Sequence, residues 1–153
     1  MKRFNFGLEK VLKLRKYHED ETRIELGRAV GILVQIENNI KKNALIRSNA
    51  AQQRFGYGNS METTQGSLQD AFAWENYITF LDRETERLLG EAAKAELLVE
   101  EKRETYLEAS RQRKVIDKLR EKREKENRKE IFSAETRELD DLFRHSISGD
   151  FGA

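Results

Sequence analysis

Between Ala71 and Ile116 the chain repeats a pattern every seven residues. Ala71, Ile78, Thr85, Ala92, Val99, Tyr106 and Arg113 form one row. Trp74, Leu81, Leu88, Ala95, Lys102, Ala109 and Ile116 form the other. The rows alternate at gaps of three and four residues, the ~3.5-residue period of a left-handed coiled coil. A strand cannot use this pattern, because its side chains alternate faces with a period of two. The polar members Thr85, Lys102 and Arg113 set register at a cost in stability.

A helix with one apolar stripe needs a partner, since isolated helices are marginal in water. An earlier segment supplies it. Leu8, Leu12, Leu26, Ala29, Leu33, Ile36 and Ile40 recur at helical gaps, interrupted by Arg15, Glu19 and Thr22. The chain contains no proline, so nothing forbids helices of great length. Charged and apolar residues each make up 37% of the chain. A globule carries ~25% charged residues and ~45–50% apolar ones, so a thick core is excluded. Disorder is not implied, because 29 basic residues nearly cancel 28 acidic ones. The absence of cysteine excludes a disulfide framework and thiolate-bound zinc. No apolar run is long enough to cross a membrane, and the N-terminus lacks an apolar signal core. A cytoplasmic location follows, and near-zero net charge disfavours nucleic acid binding by bulk electrostatics.

The segment Phe55 to Gly66 holds three of the nine glycines, with Asn59 and Ser60 beside them, so it reads as the turn. Ser67-Leu-Gln-Asp70 then has the form of a capping box, and Ser60 is an earlier possible cap. The expected fold is all-α, a single domain over residues 1–153. Two long helices, about 4–54 and 67–146, form an antiparallel coiled-coil hairpin with a turn at about 55–66 and a tail at 147–153. A turn centred near residues 60 and 61 makes facing residue numbers add to about 121, with seven-residue shifts preserving the phase. Leu26 then faces Ala95, Ala29 faces Ala92, Leu33 faces Leu88, Ile40 faces Leu81 and Glu19 meets Lys102. At ~1.5 Å per residue the helices run ~75 Å and ~120 Å, so the second overhangs beyond about residue 120. Ile131, Phe132, Leu139, Leu142 and Phe143 have no partner within the chain in that register. Exposed apolar stripes of this kind mark partner surfaces.

Charge gathers at the open end. Residues 1–16 hold six basic residues and one acidic, and residues 111–130 hold ten basic and five acidic. The basic run Arg111 to Lys129 could contact RNA or an anionic lipid surface, but its interleaved acids suit a solvated helix face or an acidic protein surface better. Catalytic patterns are lacking. His18 and His145 lie on different helices, and Gly56-Tyr-Gly58 lacks the ending of a phosphate loop. Carboxylate pairs such as Glu100-Glu101 sit on a charged helix surface, and a two-helix hairpin encloses no substrate. Tyr77 and Phe80 lie three apart beside the seam, where aromatics are candidate binding hot spots.

Three segments together resemble the flagellar export protein FliJ family. Phe4-Asn-Phe6-Gly-Leu8-Glu-Lys-Val11-Leu12-Lys-Leu14-Arg15, followed by Glu19-Asp20, is similar to the family's opening. Trp74-x-x-Tyr77-Ile78-x-x-Leu81 resembles the start of its second helix, and Glu138-Leu139-Asp140-Asp141-Leu142 its charged end. The resemblance implies a non-enzymatic, cofactor-free stalk that binds the hexameric ATPase of the flagellar type III export apparatus and promotes its assembly. It further implies contacts with the cytoplasmic domain of the export-gate membrane protein and with export chaperones, without membrane insertion. By analogy Phe4, Leu8, Arg15, Arg120, Arg123, Leu139 and Asp140 form the ATPase-binding tip. Tyr77, Phe80 and Leu81 correspond to the gate-binding face. The alternatives are the stalk of a virulence secretion system and a nucleic-acid- or ribosome-associated coiled coil.

Overall fold

The computed structural model describes residues 3–58 and 65–150. Two helices, α1 (Glu9–Gly58) and α2 (Gln65–Asp150), pack against each other as a helical hairpin. Helix α1 starts later than the stripe implies. The Glu9 amide donates to the Phe6 carbonyl and the Leu12 amide to the Leu8 carbonyl. Leu8 is consequently 39% exposed and leaves the seam, while Phe6 is buried in its place. Glu9 in the first turn faces the positive end of the helix dipole. At its other end α1 continues past Arg54 to Gly58, and α2 is under way by Gln65. Ser67 therefore lies inside α2 and not at its start, whereas the connection at 59–64, with Ser60, is outside the described residues.

By its contacts the chain divides into two compact units: Glu21–Tyr106, and Met1–Asp20 with Leu107–Ala153. In the first unit both heptad rows are withdrawn from solvent. Leu81, Leu88, Ala92, Ala95 and Val99 are buried, and Ala71, Trp74, Ile78, Thr85, Lys102 and Tyr106 are half-buried. The facing stripe of α1 buries Thr22, Ala29 and Ala50 and half-buries Leu26, Leu33, Ile36, Ile40 and Asn43. Alanines at buried positions let the two backbones approach closely.

The register is not the one centred on residues 60 and 61. The Asn43 amide donates to the Thr85 hydroxyl over 3.5 Å, and those residue numbers add to 128. Lys102 pairs with Glu25 at 3.1 Å, Arg47 with Asp82 at 2.5 Å and Arg54 with Glu75 at 3.4 Å. The hairpin is thus shifted by one heptad. Apolar periodicity cannot see such a shift, because every a and d position lands on another a or d position. Charges can. The earlier register sets Glu25 against Glu96 and Arg54 against Ser67, whereas the observed one gives each an opposite charge. These pairs are exposed, worth ~0–1 kcal/mol apiece. That is small for stability yet sufficient to rank two registers whose apolar contacts are nearly equivalent.

In the second unit Leu12 is fully buried and Phe6 and Ala109 nearly so. Glu19, buried among them, does not meet Lys102. It accepts a hydrogen bond from the Arg113 guanidinium, which also donates to Asp117. The pairing raises the Arg113 pKa above its ordinary value, chiefly through the bond to Glu19 and against the opposing effect of burial. An arginine can serve both carboxylates because its planar fork presents five donors; a lysine ammonium cannot span them as well.

Candidate protein-docking surfaces

Of the residues assigned to an ATPase-binding tip, all seven fall in the unit formed by 1–20 and 107–153. They do not form one patch. Arg15 donates to the Gln112 side-chain oxygen, and Arg120 sits 3.7 Å from Glu9, so both guanidinium groups hold α1 to α2. Phe4 is half-buried, and residues 4–7 line a shallow recess with Arg123, Glu126, Asn127 and Glu130. The non-helical start of the chain thus covers α2 as far as about residue 130, further than the sequence register suggests. Each non-helical residue spans up to ~3.5 Å, more than twice the helical rise, so four residues reach a long way. Ile131 is accordingly half-buried, not unpartnered.

Beyond it the helix stands alone. Every residue from 132 to 149 is exposed, including Phe132 at 71%, Leu142 at 66% and Phe143 at 68%. Leu139 and Asp140 belong to this overhang. They lie 16 and 17 positions past Arg123, or ~25 Å along the axis, too far to share one small contact with it. Leu139, Leu142, Phe143 and Ser146 line one exposed patch. Ile147, 61% exposed, extends the overhang's apolar content and was not singled out from the sequence; its spacing of four from Phe143 was the available signal.

In the unit 21–106, Tyr77 and Phe80 are exposed as their off-seam positions require. Tyr77 is held by an edge-on contact with Trp74, ring centres 6.2 Å apart, so its orientation is set by a half-buried neighbour. Leu81 differs: it is buried in the seam, where it supports the flank from beneath and presents nothing to a partner. Phe72, 65% exposed, adds a further aromatic to α2 near these two. Among the described residues there is no cluster of three or more histidine or acidic side chains able to hold a metal, and no helix is long and apolar enough to cross a membrane.

Two exposed apolar surfaces on a helical hairpin are the geometry of a docking protein, and the family comparison says of which kind. The flagellar FliJ protein family model matches residues 4–149. The chain belongs to the FliJ family. It is therefore a component of the flagellar export apparatus, and the match favours that reading over the virulence-system alternative. FliJ membership also implies protein partners within that apparatus. No curated protein and no solved structure matches the chain.

Proposed function

We propose that this FliJ-family chain is a non-enzymatic, stalk-like component that works from the cytoplasm at the membrane-associated export apparatus. Its open end engages the hexameric export ATPase and promotes ring assembly and ATP hydrolysis. The observation that carries this reading is the overhang: 18 consecutive exposed residues, with Phe132, Leu139, Leu142 and Phe143 among them, adjoining a basic stretch. An uncovered apolar helix of that length is costly in water unless a partner receives it. Arg123 and Asp140 are exposed and available to the ring, whereas Arg15, Arg120 and Phe4 shape the open end by holding it together. The Tyr77 and Phe80 flank meets the cytoplasmic domain of the export-gate protein, and the chain escorts export chaperones.

The test is direct. Purified protein added to the cognate export ATPase should raise hydrolysis and the yield of hexamers. Leu139→Ser with Phe143→Ser should abolish that gain. Phe80→Ser should leave it intact while weakening capture of the gate domain. A wild-type chain that leaves hydrolysis and assembly unchanged overturns the stalk reading.

A further inference from the structure

The side of α2 that faces away from α1 in the unit 1–20 with 107–153 carries a second pattern, distinct from the seam. Stepping ~100° per residue, Lys114, Lys118, Lys122, Lys125 and Lys129 fall along one line. Phe132, Leu139, Phe143 and Ile147 continue that line into the overhang, and all nine residues are exposed. The buried Ala109 and the half-buried Ile116 and Asn127 lie on the opposite side. The overhang's apolar stripe is therefore not a prolongation of the coiled-coil seam. At the continued seam positions stand Ala134, Arg137, Asp141, Arg144 and Ser148, a row with no large apolar side chain to offer a partner helix.

The charges are sorted as well. Arg113, Arg120 and Arg128 are engaged with Glu19 and Asp117, Glu9, and Glu124 respectively. The five lysines are what the outer face offers. Asp117, Glu124, Glu130, Glu135, Glu138 and Asp141 turn to the flanks or to the seam side, while Glu121, Glu126 and Asp140 dilute the face. Lys118, Lys122, Lys125 and Lys129 outnumber Glu121 and Glu126 in the open recess they line together. The result is a straight face ~50 Å long, cationic in its first half and apolar in its second.

We propose that this face lies on an anionic phospholipid bilayer, with the lysines at headgroup phosphates and Phe132, Leu139, Phe143 and Ile147 at the headgroup–acyl boundary. Lysines beside a row of aromatic and aliphatic side chains on one helix face are what a surface-lying helix requires. Each basic residue near an anionic leaflet strengthens binding about fivefold. A nucleic acid would take up the lysines but has no use for Leu139 and Ile147. A bilayer, being planar and adaptable, meets the cationic and the apolar halves of one helix face together. The mode is peripheral, since no described helix can span a membrane.

The experiment uses the full chain without its apparatus, so its outcome is separate from the ATPase reading. Co-sedimentation is measured with phosphatidylcholine vesicles and with vesicles in which a third of the lipid is phosphatidylglycerol. Partitioning should be at least tenfold stronger onto the anionic vesicles. The triple variant K122Q/K125Q/K129Q should lose at least tenfold. F132S/F143S, at two positions whose side chains are exposed, should also lose most of the binding while keeping its far-ultraviolet helix signal. Equal partitioning onto both vesicles, no binding, or full binding by F132S/F143S overturns the proposal. Binding to single-stranded RNA in the absence of vesicle binding overturns it in favour of the polynucleotide.

Discussion

Residues 81–109 and 132–149 belong to the same helix and have similar polarity, yet they stand in opposite situations. The first stretch buries Leu81, Leu88, Ala92, Ala95, Val99 and Ala109 against α1. The second buries nothing. Helical structure in the first is sustained by apolar contact. In the second it rests on intrinsic propensity and on the helix's own backbone bonds. The contrast teaches where a long helix is self-sufficient and where it awaits a partner. Isolated helices gain little net free energy in water, so the overhang is the low-stability end of the molecule.

The largest expected effect tests that contrast outright. In hydrogen exchange, amides of 132–149 should exchange about 10³-fold faster or more than those of 81–109, because they open without breaking the hairpin. Equal protection would show that the overhang is covered by something within the chain or by a second copy.

Next comes the buried charge. Arg113→Met leaves Glu19 buried without its guanidinium and should cost about 3–5 kcal/mol in denaturant unfolding. Combining it with Glu19→Met should recover much of that loss, since replacing both charges removes the desolvation penalty along with the attraction. No recovery in the double variant would mean that the charges contribute more than register.

Smaller again is the paired truncation. Leu88→Ala should cost about 2–3 kcal/mol, within the range for deleting a buried leucine. Phe143→Ala should change stability by less than about 0.5 kcal/mol, although it removes a larger side chain. Comparable losses at both sites would erase the distinction between the two stretches.

The smallest effect concerns pH. Glu84 is held below the usual carboxylate range, first by its hydrogen bonds from Arg87, with burial opposing. A carboxylate with a depressed folded-state pKa contributes stability above its unfolded pKa, and that contribution fades as pH falls through the folded value. Glu84→Gln should therefore slightly flatten the acid side of the melting profile and leave the alkaline side unchanged. Arg87 is exposed and Glu84 only half-buried, so a steep change at this site would place it in an environment unlike the one seen here.

Much of the fold was legible in the residues. The two heptad rows from Ala71 to Ile116 are all buried or half-buried, because a 3.5-residue period has no other stable use. The aromatics beside the seam, Tyr77 and Phe80, came out exposed for the same reason. The exposure of the candidate docking residues was legible only in part. The family resemblance puts Leu81 on a docking face, whereas its own heptad row puts it in the seam, where it is buried. The stripe spacing puts Leu8 in the seam, yet α1 does not begin until Glu9.

What the chain determines by itself is helix, hairpin and seam phase, since these follow from local periodicity and the absence of proline. Tertiary structure alone decides the register and the reach of the cover over α2. A heptad repeat is indifferent to sliding by seven, and only long side chains meeting across the seam break that degeneracy: Arg113 on Glu19, Arg47 on Asp82, Arg54 on Glu75. The same sliding sets how much of α2 is left bare, and hence which residues the molecule can offer to anything else.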